Sequence, residues 1–396
     1  MRVLSNQQFV SMPPQYLFSE VAQRVRTYQA QHPDTPVLSL GIGDVTRPIA
    51  PVVTRAVMTA ATEMGDSAQM RGYGPEGGYP FLKDAIAQLY MTYGVCLSSD
   101  EIFVTDGAKG QFMAWLSILE VSEALMPSPT YPVYRDVCHI KGIKVHPIPA
   151  TKDNAFLPMP PSDCNGGGYV IFLCSPANPV GVAYTAEGLK AWVDFALQHE
   201  SLLIFDGAYA DYLPPDMPHS IYEIEGANQC AIEVRSFSKN AGFTGLRCGY
   251  TIVPSGIKDG HGIPLQSTWK RYLSTTHNGV AYPIQRGAEA ALSAEGQMAS
   301  QDNVRYYLKN ASILREALDS AKIGYVGGVY SPYLWVACPD GIGAWDWFEM
   351  WLNQMQIVVT PGVGFGEDGE GYVRLSAFLK REHIEVCSLR MRGGLR

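Results

Sequence analysis

Short apolar runs alternate, along the first two thirds of the chain, with stretches in which apolar residues recur every three or four positions. The runs predict strands and the periodic stretches predict helices, because each period places apolar side chains on one face of its element. The predicted strands cover residues 37–40, 101–105, 124–126, 144–148, 169–173, 202–205, 231–236 and 249–253. The predicted helices cover residues 14–32, 51–64, 80–94, 106–119 and 185–199, with one more beginning near residue 133.

This alternation predicts an α/β fold with a large domain, whose mostly parallel sheet is covered by helices on both faces. The last third of the chain has a different pattern. A long helical stretch from about 284 to 321 precedes apolar segments at 333–337 and 372–375, with a helix at 344–354 between them. We expect residues 48–288 to form the large domain, and the chain ends 1–47 and 289–396 to form a smaller α+β domain.

The chain is mildly acidic, with a net charge of −8 from 30 basic and 38 acidic residues among 396. Such a protein has no field that would gather nucleic acid or anionic lipid. The N-terminus lacks a signal-peptide pattern, and no apolar run approaches the roughly 18 residues of a membrane span, so a cytoplasmic location is expected. The eight cysteines form no C-x-x-C pair. We expect scattered buried thiols, without disulfides and without a metal site.

A lysine stands between a predicted strand and a Gly-rich turn in the segment from Ser236 to Arg247. Burial there would lower the pKa of Lys239 and free its amine to form a Schiff base. The hydroxyls of Ser236 and Ser238, together with Arg247, could hold a phosphate nearby. A solvated loop lysine is the alternative, and the Ser-x-Ser-Lys motif alone would favour it.

Three more polar residues follow predicted strands, where ligands of open α/β sheets bind. The carboxylate of Asp206 could pair with a protonated pyridine nitrogen of a cofactor. The amide of Asn178 and the hydroxyl of Tyr209 could donate to a phenolic oxygen of the same ring. Taken singly, Asp206 would be read as a helix N-cap and Asn178 as part of a Pro-Asn turn.

Two further segments, a predicted helix start and a predicted strand, each add a basic residue to the candidate site. Ala108 and Lys109 stand at a predicted helix start, which suits a phosphate; Lys109 is also the rival for the Schiff-base role, but it lacks the frame around Lys239. Arg374 could clamp a carboxylate with two parallel hydrogen bonds. The Gly-rich loop 361–366 has an incomplete G-x-G-x-x-G pattern and no βαβ unit after it, so a nucleotide site is not favoured there.

These residues, in their order along the chain, resemble the fold-type I, class I/II pyridoxal-phosphate aminotransferases. The sequence is most similar to one family among them, the LL-diaminopimelate aminotransferases. The segments that carry this closer resemblance are 16–18, 40–44, 71–76, 106–109, 129–132, 236–247, 275–279 and 362–374. One departure lies in the turn 175–181, where Ala177 and Val180 replace the more frequent Asn and Thr; the departure leaves Asn178 in place but puts the range of amino donors in doubt.

The resemblance implies a reaction and its partners. The family interconverts LL-2,6-diaminopimelate and 2-oxoglutarate with tetrahydrodipicolinate and glutamate, on a route to lysine and cell-wall precursors. Its members are homodimers whose active sites take residues from both subunits. Three alternatives stay open: an aminotransferase of this fold acting on lysine, aspartate or an aromatic amino acid; a β-elimination or Cα–Cβ cleavage enzyme; and a cofactor-free binding protein.

The resemblance also implies residue roles. Lys239 holds the cofactor and moves the proton between the substrate Cα and the cofactor C4′, while Asp206 pairs with the ring nitrogen. Asn178 and Tyr209 reach the phenolic oxygen, and Tyr131 stacks on the ring. The phosphate is held by Ala108, Lys109, Ser236, Ser238 and Arg247, with Tyr73 of the partner subunit. The α-carboxylate is bound by Arg374, near Asn178 and Gly43. The far end of the substrate is read by Tyr16, Glu76, Lys109, Tyr131 and Asn278; Glu76 suits a distal ammonium and Lys109 a distal carboxylate.

Overall fold

The computed structural model describes residues 3–12, 17–164 and 166–394. Within these ranges the helices are α1 (Gln7–Val10), α2 (Leu17–Gln31), α3 (Pro51–Met64), α4 (Pro80–Met91), α5 (Lys109–Ile118), α6 (Pro132–Ile140), α7 (Ala186–Gln198), α8 (Leu265–Thr276), α9 (Tyr282–Leu292), α10 (Ala294–Ala321), α11 (Ala344–Met355) and α12 (Arg381–Gly394). The strands are β1 (Leu38–Ser39), β2 (Ile102–Thr105), β3 (Glu123–Ser128), β4 (Lys144–Pro149), β5 (Val170–Cys174), β6 (Leu202–Asp206), β7 (Ala231–Ser236), β8 (Gly249–Ile252), β9 (Tyr325–Gly327), β10 (Tyr333–Ala337), β11 (Ile357–Val358), β12 (Thr360–Pro361) and β13 (Tyr372–Ser376).

The larger sheet has seven strands in the order β2-β8-β7-β6-β5-β3-β4. Strand β8 is antiparallel to both of its neighbours, and the remaining pairs are parallel. Alternate residues of β5 belong to different cores: Phe172 packs with residues of α5 and α6, whereas Ile171 and Leu173 pack with residues of α7. The predicted mostly parallel sheet with helices on both faces is therefore confirmed.

A second core forms around a four-stranded antiparallel sheet in the order β12-β13-β10-β9. A two-stranded parallel sheet joins β1, near the start of the chain, to β11, near its end. Side chains of α2, α11 and α12 share this core with the C-terminal half of α10. Both chain ends thus contribute to one α+β core, while the domain boundaries at residues 48 and 289 stay a prediction.

The helical stretch predicted from 284 to 321 is wrong as a single element, because it consists of two helices that meet at Ser293. The backbone of Ser293 is extended, with φ −64° and ψ 163°, and its Oγ accepts a hydrogen bond from the N–H of Gly296. A serine in this geometry caps the helix that follows it. Helix α10 then packs Val304 and Tyr307 against the larger sheet's core and Leu314 against the second core.

All eight cysteines are free thiols. The expectation of buried thiols is wrong at Cys96, which is exposed, and only partly right at Cys164 and Cys338, which are half-buried. None of the helices in the described ranges is long and apolar enough to cross a membrane. The same ranges hold no group of three or more His, Cys, Asp or Glu side chains that could bind a metal ion.

Candidate active site

A cavity of about 520 Å³ opens at the carboxyl ends of β5, β6 and β7, beside β13 of the smaller sheet. Ligands of doubly wound sheets bind at this edge. The structure brings most of the predicted site residues to its wall: Gly43, Ala108, Lys109, Tyr131, Asn178, Asp206, Tyr209, Ser236, Ser238, Lys239, Arg247 and Arg374. The wall also contains residues to which the sequence assigned no role: Phe18, Ile42, Phe112, Tyr134, Ala208, Thr244 and Tyr333.

Three predicted site residues lie outside this cavity, and all are exposed: Tyr73, Glu76 and Asn278. They come from two loops that touch, because a Cβ built on Gly279 would lie 2.7 Å from the carbonyl oxygen of Pro75. These loops therefore form one surface, separate from the chain's own cavity. Tyr16, also predicted to bind substrate, lies outside the described residues.

Lys239 lies three residues beyond the end of β7, and its side chain reaches across the cavity to donate a hydrogen bond to the carbonyl oxygen of Gly43. Burial of the amine lowers the pKa of Lys239 from 10.5 to about 8, and the nearby cations Arg374 and Arg247 act in the same direction. The carboxylate of Asp44 opposes this shift. A lysine with this pKa has a substantial neutral fraction near physiological pH, which nucleophilic chemistry at a carbonyl requires.

The start of α5 and the guanidinium of Arg247 form a compact positive region. Gly107, just before this helix, has φ +106°, and a Cβ there would lie 2.2 Å from Nη2 of Arg247. Nη1 of Arg247 donates to Oγ of Ser238 over 3.3 Å, and the Ser238 N–H donates to Oγ of Ser236 over 3.2 Å. The helix N-terminus, the guanidinium and the two hydroxyls together have the chemistry of a phosphate-binding cradle.

Asp206 ends β6 and is buried, with 5% of its surface exposed. The Tyr134 hydroxyl donates to its Oδ2 over 2.5 Å, and the Ala208 N–H donates to its Oδ1 over 3.0 Å. Burial raises the pKa of Asp206, whereas these two bonds and the charge of Arg235 oppose the increase. A cationic group in the cavity beside Asp206 would favour the ionised carboxylate further, so this environment fits a protonated ring nitrogen.

Arg374, on β13, is only 2% exposed. Its Nη1 donates to Oδ1 of Asn178 over 2.8 Å, and its Nη2 donates to the carbonyl oxygen of Gly41 over 2.9 Å. Its Nε is buried and has no hydrogen-bond partner among the described residues, none of which supplies a carboxylate within ion-pair distance. A buried cation without a counter-ion is unfavourable. The cavity at Arg374 therefore fits a ligand carboxylate.

Two tyrosines that the sequence did not single out contact predicted site residues. Tyr134 bonds Asp206, as described, and its ring meets that of Tyr131 edge-on, with centroids 5.5 Å apart. The hydroxyls of Tyr209 and Tyr333 lie 2.8 Å apart, and both side chains are buried. The spacing of Tyr131 and Tyr134 at the start of one helix offered a signal, since residues three apart share a face. Tyr333 is the first residue of the apolar strand β10, and no local sequence pattern sets it apart.

Comparison with known proteins agrees with this geometry. The family model for aminotransferase class I and II matches residues 35–387. An LL-diaminopimelate aminotransferase of Bacteroides fragilis is 44% identical over 411 aligned positions, which cover 99% of this chain and 100% of the relative. The enzyme of that name from Bacteroides thetaiotaomicron is 43% identical, with 95% of each chain covered.

Solved structures show the same relationship. The L,L-diaminopimelate aminotransferase of Chlamydomonas reinhardtii superposes with a TM-score of 0.94 at 36% identity, and 100% of both chains is covered. An aspartate aminotransferase of Thermus thermophilus, at 21% identity and a TM-score of 0.86, shares the fold. The chain therefore belongs to the class I and II aminotransferases and, within them, to the family of the LL-diaminopimelate aminotransferases.

Proposed function

We propose that this aminotransferase interconverts LL-2,6-diaminopimelate and 2-oxoglutarate with tetrahydrodipicolinate and glutamate, and that it uses pyridoxal phosphate. The class uses this cofactor with amino-acid and oxo-acid substrates. One observation carries the proposal for this chain: an amine of lowered pKa, Lys239, and the guanidinium of Arg374, which has no counter-ion among the described residues, line the same cavity as the buried carboxylate of Asp206. The full-length similarity to LL-diaminopimelate aminotransferases supports the choice of substrate.

The cavity residues fit each part of the cofactor. Asp206 would pair with the ring nitrogen, Asn178 and Tyr209 would donate to the phenolic oxygen, and Tyr131 would stack on the ring. The phosphate would be held by Ala108, Lys109, Ser236, Ser238 and Arg247, together with the partner subunit's Tyr73. When bound, the cofactor supplies an electron sink that stabilises negative charge at the substrate Cα.

Lys239 is the residue that would hold the cofactor and then move the proton. With a pKa of about 8, the amine would be able to accept a proton from the substrate Cα and to release it at the cofactor C4′. The charges of Arg247 and Arg374 help to keep this pKa low, because a second positive charge nearby disfavours protonation. Tyr209, whose hydroxyl is buried beside Tyr333, would orient the ring by its bond to the phenolic oxygen.

Arg374 would bind and orient the substrate α-carboxylate. Asn178 and the Gly41 carbonyl hold two of its nitrogens in place, and its buried Nε keeps a donor without a partner among the described residues. A guanidinium whose plane is already fixed loses little entropy when it binds a carboxylate. Gly43 lines the same part of the cavity.

The far end of the substrate would be read by residues of two subunits in a homodimer. Glu76 and Asn278 lie on exposed loops outside their own cavity, which supports their contribution to the neighbouring site. Glu76 suits the distal ammonium of diaminopimelate, and Lys109 suits its distal carboxylate or the side-chain carboxylate of glutamate. Tyr131 and Tyr16 complete the proposed set.

We also propose a cytoplasmic location, for which the eight free thiols are the support.

A panel of amino donors tests this function. The purified protein with added pyridoxal phosphate is expected to form glutamate from 2-oxoglutarate when LL-diaminopimelate is supplied. Lysine, aspartate and phenylalanine are expected to be much poorer donors. If one of them is preferred and LL-diaminopimelate gives no turnover, the proposed substrate is wrong while the aminotransferase chemistry stands.

Lys239→Ala tests the chemistry itself. This variant is expected to lose both the visible absorbance of the lysine-bound cofactor and all turnover, because no other cavity lysine has the environment of Lys239. Lys258→Ala, at an exposed position, is the control and should keep both. A wild-type protein that stays colourless with added cofactor would overturn the proposed function.

A further inference from the structure

Tyr333 contacts three residues of the proposed site, although it belongs to none of its motifs. Its hydroxyl lies 2.8 Å from that of Tyr209, and its ring centre lies 4.4 Å from the guanidinium carbon of Arg374. A Cβ built on Gly43 would lie 2.2 Å from its hydroxyl oxygen, so Tyr333 also fills the space above Gly43. The side chain is 2% exposed and lines the cavity.

The two hydroxyls form a directional pair once the proposed role of Tyr209 is considered. A phenol has one proton to donate. If Tyr209 donates its proton to the cofactor's phenolic oxygen, the oxygen of Tyr209 must accept the proton that lies between the tyrosines, and Tyr333 must donate it. Hydrogen bonds in such a chain polarise one another, so the bond from Tyr333 makes Tyr209 a stronger donor.

The surroundings of the pair favour this direction. Burial raises the pKa of both phenols, but the positive charge of Arg374 opposes the increase more directly at Tyr333, where the guanidinium lies over the ring. A cation beside a phenol makes its hydroxyl a better hydrogen-bond donor, and the guanidinium of Arg374 lies over the ring of Tyr333.

We infer that Tyr333 is a positioning residue of this enzyme: its hydroxyl directs the Tyr209 hydroxyl toward the cofactor's phenolic oxygen, and its ring braces the guanidinium of Arg374. The inference rests on the proposed function, because it assigns Tyr209 to that oxygen. Tyr333 thus links Tyr209, which would set the proton affinity of the lysine-bound cofactor, to Arg374, which would bind the α-carboxylate.

A pH titration of the bound cofactor's visible absorbance tests the hydroxyl. A hydrogen bond donated to the phenolic oxygen lowers the proton affinity of the lysine linkage, so a weaker donor raises the titration midpoint. Tyr333→Phe is expected to raise the midpoint by about half to one pH unit, a change of roughly threefold to tenfold in the proton affinity. Tyr209→Phe should raise it more, and the double variant should titrate like Tyr209→Phe alone.

A second substitution keeps the hydroxyl and the packing. With 3-fluorotyrosine in place of Tyr333, the phenol is more acidic and donates more strongly, so the midpoint should fall instead. Tyr184→Phe is the matched control, because Tyr184 is equally buried and donates one hydrogen bond to the Pro158 carbonyl away from the cavity. Its titration midpoint should equal that of the wild type.

The ring has its own test in steady-state kinetics. Tyr333→Phe keeps the ring beside Arg374 and should leave KM for the amino donor within about twofold, whereas Tyr333→Leu should raise KM about tenfold. Three results would each overturn this inference and leave the proposed function intact. The first is an unchanged titration midpoint in a Tyr333→Phe enzyme that binds the cofactor, and the second is a higher midpoint with 3-fluorotyrosine. The third is a double variant whose midpoint shift equals the sum of the shifts of Tyr333→Phe and Tyr209→Phe. A wild-type protein that takes up no cofactor would overturn the proposed function instead.

Discussion

Nη1 of Arg374 donates a 2.8 Å hydrogen bond to Oδ1 of Asn178, a residue that precedes it by 196 positions. Arg374 lies on β13 of the smaller sheet, and Asn178 follows β5 of the larger one. The bond therefore joins the two cores at the cavity. The same contact holds in place the proposed clamp for a substrate carboxylate, Arg374, and a proposed cofactor-binding residue, Asn178.

Arg374→Lys is expected to raise KM for the amino donor by roughly 30-fold or more, because a lysine cannot reproduce the planar fork and would leave Asn178 without its donor. Steady-state kinetics with LL-diaminopimelate measures this effect. Arg381→Lys is the control: Arg381 bonds Asn310 and the Tyr306 carbonyl outside the cavity, so its loss should lower thermal stability without changing KM. Equal KM values for Arg374→Lys and the wild type would contradict the clamp.

Tyr134→Phe is expected to move the acidic limb of the kcat/KM profile to higher pH. The Tyr134 hydroxyl donates to Asp206 over 2.5 Å and stabilises its ionised form, so its removal raises the pKa of Asp206 further above the ordinary value. Activity that needs the carboxylate is then lost at a higher pH as the solution is acidified. A hydrogen bond to a charged group contributes about 1.5 to 3 kcal/mol, which corresponds to a shift of about one pH unit or more.

The matched control for this change is Tyr90→Phe. Tyr90 is fully buried and donates to the carboxylate of Glu233 over 2.6 Å, away from the cavity. The Tyr90→Phe variant should lower the melting temperature as much as Tyr134→Phe does, and its kcat/KM profile against pH should match that of the wild type. A profile that is the same in both variants would show that Tyr134 acts on stability alone.

The pKa of Lys239 makes the stability of the cofactor-free protein depend on pH. The folded state releases the Lys239 proton near pH 8, whereas the unfolded chain keeps it to about pH 10.5. Between these values the unfolded state binds more protons, so the free energy of unfolding contributed by this group rises with pH. The full rise is about 3 kcal/mol, and it is absent below pH 7, where both states are protonated.

Lys239→Met removes this contribution. The melting temperature of the cofactor-free wild type, relative to that of the Lys239→Met variant, should therefore increase from pH 7.5 to pH 10. Lys322, which follows α10 and has a left-handed backbone conformation, provides the surface control. The Lys322→Met variant should show no such trend. A constant difference across this range would mean that the amine keeps an ordinary pKa in the folded protein.

Mixing two variants that are each expected to be inactive tests the proposed sharing of the site between two subunits. Lys239→Ala lacks the lysine proposed to hold the cofactor, and Glu76→Ala lacks the proposed contact from the exposed loop. Co-refolded in equal amounts, they should form hybrid dimers with one intact site, and the mixture should recover about a quarter of the wild-type activity toward LL-diaminopimelate. Lys239→Ala mixed with Asp206→Ala should recover no activity. Lys239 and Asp206 both line the cavity of their own chain, so each cavity of a hybrid dimer carries one of the two changes. If Glu76→Ala is inactive and neither mixture recovers activity, Glu76 acts in the cavity of its own chain and the proposed sharing is wrong.

Several elements were predictable because their local signals agree with their tertiary surroundings. Helix α3 begins at Pro51 and β7 covers Ala231–Ser236, both as predicted, since a proline at a helix start and a continuous apolar run need no distant contact. The sequence did not predict the break at Ser293, because a serine within a periodic apolar pattern is compatible both with a helix interior and with a helix N-cap. The prediction also lacks α8, although Leu265, Trp269 and Leu273 have helical spacing.

The sequence by itself determined which residues stand just past strand ends, and the parallel order of β5, β6 and β7 then brings Asn178, Asp206 and Lys239 together. Chain order carries that information because the carboxyl ends of parallel strands share one edge. Only the tertiary structure decided that Tyr333 contacts both Tyr209 and Arg374 and that Glu76 is exposed outside the cavity of its own chain. Those relationships depend on how the second core docks against the first, and contacts between distant segments leave no periodic trace in either segment.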